Sequence, residues 1–132
     1  MKKQTPLDRE FRAFIRERDN YTCQLHKACR ERHIKPPVRP CTPEDSMQVY
    51  HLIPVSVWPS GRYEERNVKL CCAGFNMFEK THRVEMDKMH RDTWPVLMEN
   101  LDLLRKVPRK TDKAALLIYF KQKRIELRER HG

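Results

Sequence analysis

The feature that most constrains this chain is residues 21–45, which carry Cys23, His26, Cys29, His33, Pro36, Pro37, Pro40, Cys41 and Pro43 without a helical or strand period. A structureless run of about two dozen residues is long for a compact domain; it is functional, mobile, or tied by a ligand such as a metal. The chain has 132 residues, which suits one domain spanning 1–132 and is short for two. Its five cysteines are an odd number, and Cys71 and Cys72 are adjacent. The start, Met1-Lys2-Lys3-Gln4-Thr5-Pro6, runs into Leu7-Asp8-Arg9-Glu10 with no apolar signal segment. That pattern points to a cytoplasmic setting, where metal binding or burial of reduced thiols outranks a disulfide framework.

Around that stretch the elements are readable. Pro6 suits a first helical turn, and Leu7, Phe11, Phe14 and Ile15 recur at helical spacing, so a helix is expected from Pro6 to about Asp19, with Asn20 as its stop. Residues 47–57 form a β-like run (Val49, Tyr50, Leu52, Ile53, Val55, Val57) interrupted by Pro54, which limits it to a strand ending or an edge. Trp58-Pro59-Ser60-Gly61 is turn chemistry, and a short strand follows near Val68 to Leu70. One helix is expected over residues 75–91, with Met77, Met86 and Met89 packing inward and His82 and His90 on a solvated face. Asp92 or Thr93 caps the next helix, which buries Leu97, Leu101 and Leu104 and stops before Pro108. Thr111 or Asp112 caps a last helix with Ala114, Leu117, Ile118 and Ile125 on one side. The expected class is a small α+β domain with a helical tail.

Lys and Arg number 28 against 18 Asp and Glu, a net charge of +10. That balance favours a polyanionic partner. No run reaches the roughly 18 apolar residues of a membrane span, so an integral membrane protein is excluded at this level. The basic runs Arg105-Lys106, Arg109-Lys110 and Lys121-Gln122-Lys123-Arg124 can track phosphates; by default they are solvated faces with partners such as Glu126 and Glu129.

The chemistry concentrates in His51-Leu52-Ile53-Pro54, then Arg62-Tyr63-Glu64-Glu65-Arg66-Asn67, then Cys71-Cys72-Ala73-Gly74-Phe75-Asn76. These segments, with the lead-in Arg18-Asp19-Asn20-Tyr21-Thr22-Cys23, resemble the HNH endonucleases of the ββα-metal fold over residues 14–80. The Arg-Tyr-x-x-x-Asn spacing is similar to the phage recombination nucleases of the NinG type, which implies a phage or prophage origin. The resemblance implies an HNH-type core over about 14–91 and a helical extension over 92–132. It makes His51 the general base and a metal ligand, Asn67 the catalytic residue that holds the hairpin and orients the His, and Asn76 the helix residue that binds a divalent metal (Mg, Mn, Ni or Zn). Two positions depart from the family: Tyr50 stands where a ligating Asp is frequent, and Phe75 where a second knuckle Cys belongs.

The chemistry is sound without the family name. Phosphodiester hydrolysis needs a base near neutrality, which His supplies, and positive charge on the transition-state oxygens, which a divalent cation supplies. Zinc takes four soft or borderline ligands. A structural zinc would use Cys23, His26 and Cys72 first, with Cys29 or Cys41 as the fourth; the plain alternative is buried reduced thiols. Arg62, Arg66 and Lys80 are the expected DNA-phosphate contacts. Two functions follow: a metal-dependent HNH-type endonuclease cutting DNA, or a nuclease-like nucleic-acid-binding or assembly module that has lost cleavage.

Overall fold

The computed structural model describes residues 3–42 and 45–131, so the expectations for Met1, Lys2 and Pro43 lie outside the described residues. The chain is α+β. Helices α1 (Pro6–Arg18) and α2 (Gln24–Glu31) precede strand β1 (Met47–His51), and β2 (Val68–Cys72) leads directly into α3 (Ala73–Thr81). Then come α4 (Arg83–Thr93), α5 (Pro95–Leu104) and α6 (Lys113–His131).

The strands form one antiparallel pair, in register from Met47 opposite Cys72 to His51 opposite Val68. A two-stranded ribbon is marginal in water, so its stability comes from helices on both faces. Side chains alternate along each strand, which sorts the core into two clusters. Val68, Leu70 and Val49 meet Leu7, Phe11, Phe14 and Ile15 of α1 and Phe120 of α6. On the other face Tyr50 and Cys71 meet Phe75, Met86, Met98 and Leu101 from α3, α4 and α5.

α1 begins where expected, because Thr5 and Asp8 form a capping box: Asp8 N–H donates to Thr5 Oγ1 and Thr5 N–H to Asp8 Oδ2, each at 3.1 Å. It ends at Asp19, and the chain reverses through Asn20 and Tyr21 at φ of 52° and 55°. Asp19 then ties this corner to the sheet, accepting from Leu70 N–H at 2.8 Å and from the Arg18 guanidinium at 2.9 Å.

Several expectations need correction. The Cys/His/Pro stretch is not wholly irregular, since α2 lies within it and buries Leu25, His26, Ala28 and Cys29. Its inward face has a helical period, but His and Cys occupy half of it, so counting apolar residues misses it. The helix expected over 75–91 is two helices, broken at His82, whose ring stacks on Phe78 at 3.9 Å. The break lets α4 turn Met86 and His90 towards the sheet, so His90 is buried rather than solvated, while Met77 is exposed. Trp94, not Asp92 or Thr93, precedes α5. Asp112 does cap α6, accepting from Ala115 N–H at 3.0 Å. The inward face of α6 is Leu116, Leu117, Phe120 and Leu127, whereas Ala114, Ile118 and Ile125 face solvent. The helical tail therefore folds back along α1 and completes a core.

Candidate functional site

His51 is the last residue of β1, at the mouth of the loop running to β2. Its Nε2–H donates to the Arg62 carbonyl at 2.9 Å. A carbonyl only accepts, so Nε2 carries the proton and Nδ1 keeps its lone pair. Burial pulls the imidazole's pKa below the ordinary His value, and the nearby Arg62 charge adds to this, against a smaller pull from the carbonyl. The ring is therefore neutral at pH 7, the form that can accept a proton.

The loop holding that carbonyl is fastened from within. Asn67 is fully buried; its Oδ1 accepts from Ile53 N–H at 2.8 Å and its Nδ2 donates to the carbonyls of Ile53 at 3.0 Å and Gly61 at 3.4 Å. The Asn67 carbonyl accepts from Leu52 N–H at 2.8 Å. At Gly61 an added Cβ would lie 2.3 Å from the Trp58 ring, so only glycine lets that tryptophan close over the turn. Asp8 of α1 reaches the same loop, accepting from Tyr63 Oη at 2.5 Å and Arg62 at 3.2 Å. Asn67 clasps the loop between the strands, and α1 anchors its far side.

Asn76 sits in the first turn of α3, and its Nδ2 donates to Gln48 Oε1 rather than engaging His51. Gln48 and His51 stand three positions apart on β1, so the pleat points them to opposite faces. Tyr50 is 2% exposed, and its hydroxyl lies 2.7 Å from His90 Nε2. Burial raises its phenol pKa, so it stays protonated and is no ligand. Hard divalent cations prefer several oxygens, carboxylates among them. Asn76 and Gln48 are neutral, with the Gln48 oxygen already accepting a hydrogen bond. These residues do not fit a preassembled divalent-cation site with His51.

A different group does converge. The ligand atoms of Cys23, His26, Cys41 and Cys72 all lie within 4.8 Å of one another. Cys23 and Cys72 are the residues on which α2 and α3 start, where helix dipoles favour thiolate. His26 Nε2–H donates to the Arg39 carbonyl at 2.9 Å, which leaves Nδ1 facing Cys23 Sγ at 3.3 Å and Cys72 Sγ at 3.6 Å. A backbone carbonyl that fixes the ligating tautomer is the usual outer support of a metal-bound His. A zinc tetrahedron with 2.3 Å bonds has sulfur–sulfur edges of about 3.8 Å, so this donor set fits a tetrahedral metal. Burial raises the pKa of Cys23, Cys41 and Cys72 as free thiols; a bound cation would reverse that. Of the two residues considered as fourth ligand, Cys41 joins the group. Cys29 lies on the same buried face of α2 as His26, one turn further along, and packs in the core at 1% exposure outside the converging group.

The expected phosphate contacts fare unequally. Arg62 is paired with Asp8, and Arg66 with Glu64 at 3.0 Å, whose carboxylate also holds Arg109 at 3.3 Å. Lys80 is exposed and, among the described residues, has no ion-pair partner. No helix of the described residues is long and apolar enough to cross a membrane. Comparison with known proteins returns no matching family model, curated protein or solved structure.

Proposed function

We propose that this chain is an HNH-type endonuclease domain that hydrolyses DNA phosphodiester bonds, with His51 as general base, and that Cys23, His26, Cys41 and Cys72 hold a structural zinc. The observation that carries the reading is the state of His51: neutral, at a strand end, with Nε2 committed to a carbonyl and Nδ1 left with its lone pair. A water held at Nδ1 gives its proton to that nitrogen as its oxygen attacks phosphorus, while the P–O bond to the leaving sugar oxygen breaks and that oxygen takes a proton from solvent. The base's role is worth about 10²–10⁴ in rate. Asn67 acts through the loop, keeping the Arg62 carbonyl where it holds the ring. The net charge of +10 supports a phosphate-rich substrate.

The test is nicking of supercoiled plasmid with Mg²⁺, Mn²⁺, Ni²⁺ or Zn²⁺ added in turn. Nicking should fall about 10²–10⁴-fold in His51→Ala at unchanged melting temperature. DNA retention without nicking in any metal would instead support the binding or assembly module. The specific observation in favour of that second reading is the buried Tyr50–His90 pair where a ligating carboxylate would stand.

A further inference from the structure

We infer that the outer face of α1 is a phosphate-tracking ridge, made by Arg9, Arg12 and Arg16, that grips the backbone of duplex DNA beside the His51 loop. The inference deepens the DNA reading above and rests on it.

Read as a string, α1 is not strikingly basic, because Asp8, Glu10 and Glu17 are interspersed with its arginines. The fold separates the two signs. Glu10 is turned inward onto Arg124 at 3.0 Å, and Glu17 onto Arg124 and Arg128 at 3.1 Å each. Asp8 is consumed by Thr5, Tyr63 and Arg62, and Asp19, just past the helix, by Arg18 and Leu70 N–H. The hydrogen bonds and charges of Arg124 and Arg128 hold the Glu17 carboxyl below its ordinary range against the opposing effect of burial. At Asp8 the hydrogen bonds from Tyr63 and Thr5, with the Arg62 charge, outweigh burial, so both carboxylates stay ionised and satisfied in place. Every helix carboxylate thus has its own partner away from the outer face.

Arg9, Arg12 and Arg16 are left. All three are exposed, and none has a carboxylate partner among the described residues. Their spacing of three and four residues stacks them on one helix face, opposite the buried Leu7, Phe11, Phe14 and Ile15. At 1.5 Å per residue the ridge is about 10 Å long. One strand of B-DNA presents a phosphate every 3.4 Å of axis, so the ridge spans roughly three phosphates. Three long guanidiniums held on a rigid helix, without internal counter-charge, repel one another and are best satisfied by a polyanion.

The ridge is also connected to the candidate site. It starts at the residue after Asp8, and Asp8 binds Arg62 and Tyr63, on the loop whose Arg62 carbonyl holds His51. A strand lying along α1 therefore passes the loop that carries the proposed base. None of the three arginines packs in the core, so their role and the fold can be tested apart.

The experiment is the salt dependence of binding to a duplex oligonucleotide, without added divalent cation, for wild type and for Arg9→Gln/Arg12→Gln/Arg16→Gln. The triple variant should flatten the slope of log affinity against log salt by about 2.7, at 0.9 per phosphate, with unchanged melting temperature. A control that removes the same charge elsewhere, Lys106→Gln/Lys110→Gln/Lys113→Gln, should flatten it by less than half as much. Wild type that binds with a slope the ridge variant leaves unchanged, or an equal fall in the control, overturns the ridge but not the nuclease reading. Ridge-dependent binding to single-stranded RNA with none to the duplex overturns the assignment to DNA. Failure of wild type to bind any nucleic acid overturns both.

Discussion

Tyr50 and His90 stand 40 residues apart in the chain and meet inside the core, where the hydroxyl has no other partner and so donates to Nε2. The ring's Nδ1–H is then left as the buried side-chain polar atom without a hydrogen bond among those described. A charged ring here would be worse still, and burial pushes the His90 pKa down to about 4, against a smaller opposing pull from Asp87. Because the folded value lies below the unfolded value of about 6.5, protonation favours the unfolded chain. The stabilisation is intact above pH 6.5 and drains away as pH falls towards 4. Between pH 7 and pH 4.5 this residue should cost about 2 kcal/mol of stability. Urea denaturation of wild type and His90→Phe at the two pH values checks it: the wild type should lose the larger amount, and equal losses would place the proton elsewhere. The same geometry makes Tyr50 a packed core residue rather than a vacant ligand position.

At the level of elements, the Cys/His group joins three segments that ladder bonds do not hold together: the start of α2, the loop carrying Cys41, and the β2–α3 junction. Cys72 N–H also donates to Cys23 Sγ at 3.3 Å, so the junction and α2 meet at the proposed metal. Metal binding to a site that exists only when folded adds directly to stability. Elemental analysis should find one zinc per chain, and stripping it with a strong chelator should lower the melting temperature. Cys41→Ala should lose the metal, whereas Cys29→Ala should keep it while losing core packing. The reverse result would restore Cys29 as the ligand. Cys23, His26 and Cys72 of this converging group were legible in the sequence as candidate ligands; the choice of Cys41 over Cys29 was not, because both lie within reach along a flexible string.

Across the whole molecule, the thin sheet survives because each face has its own helical cover, and α6 supplies part of one cover from the far end of the chain. Phe120 is 1% exposed, with its ring 4.8 Å from Phe11 and 5.4 Å from Phe14. The Arg124 pairs with Glu10 and Glu17 flank that contact, but such partly exposed pairs contribute at most about 1 kcal/mol each. Phe120→Ala should therefore destabilise the fold by about 3–5 kcal/mol. Ile118→Ala and Ile125→Ala, on the exposed side of the same helix, should each change it by about 0.5 kcal/mol or less. Chemical denaturation of the three variants measures the contrast. Equal small effects would mean that α6 is an appendage rather than a wall of the core.

Local rules written in adjacent residues were decided by the sequence alone: the start of α1 at Thr5-Pro6, the interruption of the strand run by Pro54, and the turn at Trp58-Pro59-Ser60-Gly61; the structure then chose Asp112 over Thr111 as the cap of α6 and ended β1 at His51, short of the expected residue 57. Capping, proline geometry and close glycine packing act within a few residues, so one chain read in order displays them. Choices between equivalent side chains were decided by the tertiary structure: Cys41 over Cys29 at the metal group, Phe120 over Ile118 in the core, and Gln48 rather than His51 as the partner of Asn76. It also turned the carboxylates of α1 inward and left its arginines outside. Each of those outcomes depends on which face of an element meets which neighbour, a matter of long-range packing to which spacing along the chain is blind.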